Sequence, residues 1–328
     1  MTKEKRSNIV DGQFFWDMEP EVISISPALD ILLGGGIVSG TWNTIYGPPK
    51  FGKTALALRI AAKCQEMGKM VYYGNVEARL KRRDLISTSG LKPELFKVVT
   101  SRGAEFNEKN ELAQEALILT AEGHIAEYEN LLKNGHNSCL IIDSESYLCT
   151  NAEMEGDITD MQRADAAKLM AKFVRRNKDL ICFNNWTVIV IRHIAANPTG
   201  YGAPTKEKGS NAGNYQTDVK LRGDKVEEWK EGDDIVGQIM SWKLETGALP
   251  GAVKGTSIQS YFRFGYGIDE EAELANLAIE LGLASVKTPW YTYGEKKYQG
   301  LAKFTAGIKE SSELKNELQT KLRELVGQ

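Results

Sequence analysis

The sequence predicts an α/β fold in which a largely parallel sheet is covered by helices on both faces. Three observations predict it. Short apolar runs alternate with longer helical patterns, as right-handed βαβ crossovers require. Runs such as "CLIIDS" and "WTVIVIRH" lack polar alternation, the mark of strands buried on both faces. Between one strand and its following helix lies "YGPPKFGKT", a phosphate-binding pattern that depends on a strand-loop-helix junction.

Composition narrows the function classes. The 328 residues are 42% hydrophobic and 26% charged, which suits a folded chain with a large core. The start of the chain lacks a signal-like apolar core, and no apolar run reaches membrane-spanning length, so a cytoplasmic location is expected. A net charge of -3 advertises no general attraction to nucleic acid, so any DNA site must be local. The 4 cysteines, Cys64, Cys139, Cys149 and Cys182, are widely spaced and read as reduced, buried thiols. His124, His136 and His193 form no close pairs with them, so zinc lacks support and the expected metal is a nucleotide's magnesium.

Along the chain, "VISISPALDILLGGGIVSG" reads as a short helix ending in a glycine turn, followed by the strand "TWNTIYG". After the phosphate loop, "KTALALRIAAKCQEMGK" is a helix closed at Gly68, and "MVYYGNVEA" the next strand. The run "NELAQEALILTAEGHIAEYENLLKNG" is expected as one long helix leading into "CLIIDS". Another helix, "DMQRADAAKLMAKFVRRNKDLI", leads into "WTVIVIRH". Then "IAANPTGYGAPTKEKGSNAGNYQTD" loses apolar periodicity and reads as a long functional loop. "VKLRGDKVEEW", "DIVGQIMSWKLE" and "TSIQSYFRFGYG" read as antiparallel strands extending the sheet. The remainder gives a helix, a hairpin around Gly294 and a final helix near "SSELKNELQTKLREL".

The chemistry starts at Gly47, Gly52, Lys53 and Thr54, which fill the G-x-x-x-x-G-K-[ST] pattern. Glycines let backbone N-H groups face phosphate, the helix N-terminus adds positive charge, Lys53 reaches the outer phosphates and Thr54 ligates Mg²⁺. The whole loop, Gly47, Pro48, Pro49, Lys50, Phe51, Gly52, Lys53, Thr54 and Ala55, is thus the candidate ATP-binding segment. Asp143 ends an apolar strand where a metal-bound water needs a carboxylate, and joins Thr54 as a candidate magnesium residue. Glu77, at the end of the strand "MVYYGNVEA", is placed to orient an attacking water; the alternative is a surface carboxylate at the start of the basic run "RLKRRD". The triplet Gly34, Gly35 and Gly36 lacks the spacing of a dinucleotide fingerprint and precedes its strand.

Taken together, "ISPALDILLGGGIVSG", "IYGPPKFGKT", "LIIDS", "AEMEGDITD", "GIDEEAELANLAIELGL" and "WYTYGEKKYQG" resemble the RecA-type homologous recombinases, bacterial and phage. The resemblance implies a RecA-type P-loop ATPase core over residues 22–268, a short N-terminal arm over 1–21 and a small α+β C-terminal domain over 269–328. It implies ATP and Mg²⁺ as cofactors, with single-stranded DNA, homologous duplex DNA and further copies of the chain, as a filament or ring, as partners. Single-strand-binding or mediator proteins are further partners of such enzymes. Glu77 matches the family's catalytic glutamate and, with Lys53 and His193, makes the expected catalytic set. His193 falls where cellular members carry a glutamine that senses the γ phosphate; a histidine there is similar to phage UvsX-type members.

The resemblance also assigns DNA-binding loops. "MEGDITDMQR" matches the first, followed by Arg163, Lys168 and Arg175 at spacings that can share a helix face. "NPTGYGAPTKEKGSN" matches the second, supplying Tyr201, Lys206, Lys208, Ser210 and Asn211, with phosphate contacts from the lysines and base stacking from the tyrosine. Phe264 stands at a nucleotide-side position and could pack on the adenine. Departures are local: Thr246 and Ala248 replace the two lysines that bacterial members offer to a neighbour's ATP, with Lys243 or Lys254 as substitutes. "FFW", ending at Trp16, is a candidate interface in the arm. Two other readings share the core: a ring helicase, and an ATP-binding mediator with weak hydrolysis.

Overall fold

The computed structural model of the protein describes residues 11–17, 19–106, 112–157, 165–196, 205–207, 209 and 211–325. Asp11 accepts the Gln13 N-H and starts α1 (Gly12–Trp16), which leaves Trp16 exposed. β1 (Val22–Ile23) pairs with the later β2 (Ile37–Val38), and α2 (Pro27–Leu33) lies between them. Pro27 sits in the helix's first turn, where no N-H is needed, and Gly34 at φ 78° caps its end. β3 (Trp42–Gly47) is buried at every residue and runs into the phosphate loop and α3 (Lys53–Glu66).

β4 (Val71–Asn75) is followed by a turn, by α4 (Arg82–Ile86), and by β5 (Phe96–Thr100) at the sheet edge. β6 (Arg102–Phe106) and β7 (Leu112–Ile118) pair antiparallel as a separate ribbon before α5 (Ala121–Asn134). The single long helix expected across this region is therefore wrong in its first half. The Glu/Leu/Ala-rich start has helix propensity, but that is a weak prior, and pairing of its backbone with 102–106 overrides it. Helix begins only after the extended Thr120.

β8 (Cys139–Asp143) follows, then α6 (Asn151–Glu155), α7 (Asp165–Phe183) and β9 (Thr187–Ala196). Within the segment read as one long loop, β10 (Thr205–Glu207) pairs antiparallel with β9, and α8 (Asn211–Gln216) follows it. The loop expectation fails there because cross-strand backbone bonds need no apolar alternation. β11 (Val219–Glu231) is parallel to β3, and only beyond it do β12 (Asp234–Thr246), β13 (Ser257–Arg263) and β14 (Gly267–Ile268) continue antiparallel. The three expected strands are thus antiparallel, each to the next, and β11 joins them to the parallel part of the sheet.

The main sheet runs β14-β13-β12-β11-β3-β9-β8-β4-β5. The chain leaves β3 through α3, passes over β9 and β8 and enters β4, so a crevice opens at the carboxyl ends of these strands. Alternate residues of the central strands serve opposite layers. Ile45, Ile141, Ile189 and Ile191 pack with Leu56, Ile60 and Ala61 of α3. Leu140, Ile142, Val188 and Val190 pack with Tyr128, Leu132, Phe173 and Ile181 of α5 and α7. That period of two, apolar on both sides, is what the unalternating sequence runs encode.

After β14 come α9 (Glu270–Glu280), a meander of β15 (Ser285–Lys287), β16 (Trp290–Tyr293) and β17 (Lys296–Gln299), then α10 (Leu301–Glu310) and α11 (Ser312–Leu325). Their cluster, around Leu274, Phe304, Ile308 and Leu318, also takes in Ala28 of α2. The expected four buried thiols reduce to two. Cys64 and Cys139 are buried, Cys149 is half-buried, and Cys182, near the end of α7, is exposed. No described helix is long and apolar enough to cross a membrane.

Candidate active site

Sheet register assembles the site. Gly47 at the end of β3 lies opposite His193 of β9, and Asn75 at the end of β4 lies opposite Asp143 of β8. All four stand at one carboxyl edge, and Glu77 is in the turn two residues past Asn75, its N-H donating to the Asp143 carbonyl at 3.1 Å.

The phosphate loop is held from below. Phe51 is only 2% exposed, its ring edge-on to Trp242 at 4.8 Å and pressed on the backbone of Gly223. Its side chain therefore anchors the loop to β11 and β12, and only its backbone can face a phosphate. Gly52 sits at φ 93°, and a Cβ there would lie 2.4 Å from the Met240 sulfur, so neither backbone nor space admits another residue. Pro49 and Lys50 are exposed, Lys50 in the left-handed region at φ 60°. Gly47 is buried, while Pro48, Gly52, Thr54 and Ala55 are half-buried.

Lys53 is nearly buried and donates to the loop carbonyls of Gly47 at 3.0 Å and Pro48 at 2.7 Å. Burial lowers its pKa, opposed by the charges of Asp143 and Glu77. The Thr54 hydroxyl donates to Asp143 Oδ2 at 2.7 Å, and the Tyr73 hydroxyl donates to the same oxygen. Burial raises the Asp143 carboxyl's pKa, partly offset by those two donors. One hydroxyl and one carboxylate in contact beside a buried ammonium are the hard oxygen donors and the cation that a magnesium-nucleotide needs, and the residues fit that group.

Glu77 Oε1 accepts from the Ser144 hydroxyl at 2.7 Å and bonds His193 Nε2. Burial would raise its pKa, but those bonds and the charges of His193 and Arg79 bring it below the ordinary value. The His193 N-H donates to Ser146 Oγ at 3.0 Å, and the Tyr147 ring stands edge-on to the imidazole at 5.5 Å. Arg79 lies 3.5 Å from Glu77 Oε2 and over the Tyr147 ring at 5.9 Å.

Other expected residues lie farther out. Phe264 is 53% exposed on the turn after β13, which β12 and β11 separate from β3, and its ring packs edge-on to Phe262. Lys168 and Arg175 are exposed on α7, Lys168 paired with Asp165 at 2.9 Å. Arg163, Tyr201, Lys208 and Ser210 lie outside the described residues, and of Lys206 and Asn211 only the backbone is described. Lys243 is half-buried on β12, and Lys254 is exposed beyond it. Sequence reasoning missed Tyr73, Gly223 and Met240, which reach the site through strand pairing, and Ser144 and Tyr147, which follow closely on Asp143. It also missed Arg192, for which a signal exists: an arginine inside an otherwise apolar strand, next to the candidate histidine.

Residues 112–268 match the model of the RecA N-terminal domain. The chain is similar to Protein RecA of Geobacter sulfurreducens, 30% identical over 314 residues that cover 94% of this chain and 87% of that protein. It is also 29% identical to Protein RecA of Wolinella succinogenes over 306 residues, covering 92% of this chain and 82% of that one. Protein RecA of Sulfurimonas denitrificans is 29% identical over 308 residues, covering 92% and 83%.

Proposed function

The chain belongs to the RecA family, and on that premise we propose that it is a DNA-dependent ATPase that assembles on single-stranded DNA and catalyses homologous pairing and strand exchange. The observation that carries the reading is the convergence of Lys53, the Thr54-Asp143 pair, Glu77 and His193 at one sheet edge, with β9 running directly from His193 toward the second candidate loop.

ATP with Mg²⁺, once bound, supplies a γ phosphate open to in-line attack by water and the charge that the site reads. Gly47, Gly52 and the α3 N-terminus offer N-H groups to its phosphates. Lys53 would exchange its loop carbonyls for phosphate oxygens, and Thr54 and Asp143 would hold the cation. Glu77 accepts the proton of the attacking water, and its low pKa keeps it ionised for that task. His193 is a two-partner group. Its Nε2 bonds Glu77, and the same nitrogen would be the one offered to a phosphate oxygen, so His193 would link occupancy of the phosphate site to Glu77 and to β9.

Lys168, Arg175 and Lys206 serve as phosphate contacts for the DNA, and Phe264 offers a ring face to the adenine. Further copies of the chain complete the filament, with Lys243 or Lys254 reaching the neighbour's nucleotide. The histidine at 193 supports a phage-type member of the family as the reading. The test is joint-molecule formation between a single-stranded circle and homologous duplex, with ATP turnover followed in parallel. Unwinding of a forked duplex without joint molecules would make the protein a motor. DNA binding without turnover would make it a mediator.

A further inference from the structure

We propose that Arg192 is a positioning residue that ties the stem of the second candidate loop to the γ-phosphate side of the site, so that His193 and that stem move as one body. This rests on the recombinase reading for the purpose of the movement, and on geometry for the linkage.

Arg192 is fully buried and adjacent to His193 on β9, so the two side chains leave the strand on opposite faces. Its Nε donates to Glu145 at 2.6 Å, two residues past Asp143. Its Nη1 donates to Glu207 of β10 at 2.8 Å and to the Asn214 side-chain carbonyl of α8 at 2.8 Å. Lys220 of β11 adds a second cation on Glu207 at 2.6 Å. One guanidinium thus joins the strand that carries His193, the segment after the metal-side aspartate, and both elements at the stem of the second loop.

Gly209 supplies an independent sign of how tightly the stem closes. A Cβ at that position would lie 2.6 Å from Arg192 Nε and 2.9 Å from its Cζ, so Gly209 itself lies directly against the guanidinium. Buried ion pairs add little net stability over an apolar core of the same shape. A leucine at 192 would pack the strand as well, without joining three segments. The planar, multiply donating guanidinium is the group that fixes relative orientation.

The experiment compares full-length wild type, Arg192→Met, Gly209→Ala and the triple variant Glu145→Gln/Arg192→Met/Glu207→Gln, in which no carboxylate is stranded. Affinities for a fluorescent ATP analogue, and for single-stranded DNA with and without ATP, are measured alongside melting temperature. Arg192→Met is expected to hold ATP within about threefold while losing most of the ATP-dependent gain in DNA affinity, a coupling of roughly 5–150-fold in typical cases. The triple variant should recover melting temperature but not coupling, and Gly209→Ala should lose part of it. Coupling restored in the triple variant overturns the proposal and leaves Arg192 a stability residue.

If the wild type shows no ATP-dependent DNA affinity, the recombinase reading fails, and amide exchange over 205–207 and 211–216 then decides the linkage. Protection on adding the ATP analogue that is present in wild type and absent from the triple variant supports it. Equal protection in both, or none in either, overturns it.

Discussion

Glu77 and His193 stand 116 residues apart in sequence, on a turn after β4 and on β9, and share a hydrogen bond between Oε1 and Nε2. The Ser144 hydroxyl donates to the same carboxylate oxygen at 2.7 Å. In the proposed scheme, the residue that activates water is therefore also a partner of the residue that senses phosphate.

Replacing Glu77 with Gln keeps the shape and a hydrogen-bonding partner for His193 but removes the base. ATP and single-stranded DNA binding are expected to persist, while turnover falls by roughly 10²–10⁴-fold, the usual contribution of a general base. Steady-state ATP hydrolysis with saturating DNA, beside direct binding of both ligands, checks this; a fully active variant would show that another group activates the water.

Lys53→Ala removes the buried ammonium now held by the Gly47 and Pro48 carbonyls. DNA affinity should then become indifferent to ATP, because the loop loses its charge for the outer phosphates. Fluorescence anisotropy with labelled single-stranded DNA, with and without ATP, reads the effect. A variant that still tightens on DNA when ATP is added would remove Lys53 from the scheme.

The floor of the phosphate loop is equally open to test. A Cβ on Gly223 would lie 2.4 Å from the Phe51 ring. Gly223→Ala is expected to cost about 1–3 kcal/mol by overpacking and to weaken ATP binding. Phe51→Ala alone costs about 3–5 kcal/mol through the cavity it leaves beside Trp242. Because the alanine methyl occupies part of that cavity, the double variant should be less destabilised than the sum of the two. Denaturant unfolding of the cycle measures the coupling, and strict additivity would mean that the residues do not press on each other.

Stability should fall with rising pH through a buried acid remote from the site. Glu273 is fully buried, accepting from the Ala28 N-H at 3.0 Å and from the Ser260 hydroxyl. Burial pushes its carboxyl from 4.5 up to about 7, with Glu270 nearby adding to the rise and the hydroxyl and N-H donors opposing it. Below pH 4.5 both folded and unfolded chains hold the proton and the group adds no slope. Between 4.5 and about 7 the unfolded chain releases it first, so this group destabilises the fold progressively, by about 3 kcal/mol in all. Glu273→Gln should remove that term, gaining on wild type as pH rises across the window. Urea unfolding of both proteins at pH 4.5 and 7 checks the sign, and parallel stabilities would refute it.

Much of the fold is legible in the chain because its signals are local. Unbroken apolar runs mark doubly covered strands, and the glycines and lysine of "YGPPKFGKT" fix a loop whose chemistry its own backbone performs. Asp143 and Glu77 are findable for the same reason, since Asp143 ends a strand and Glu77 lies two residues past one. The misread stretches are those whose state depends on distant backbone. Leu112–Ile118 has the composition of a helix and pairs as a strand, and Thr205–Glu207 has no strand pattern at all yet completes a ladder on β9.

The sequence by itself determined the alternating architecture, the phosphate loop and the candidate carboxylates, because periodicity and turn chemistry act over a few residues. Only the tertiary structure decided partners. It turned Phe51 from a member of the candidate ATP-binding loop into a buried anchor of that loop, set His193 against Glu77, and buried Arg192 between Glu145 and Glu207. Each depends on strand order and register, which arise from contacts between residues far apart in the chain, and no local pattern encodes them.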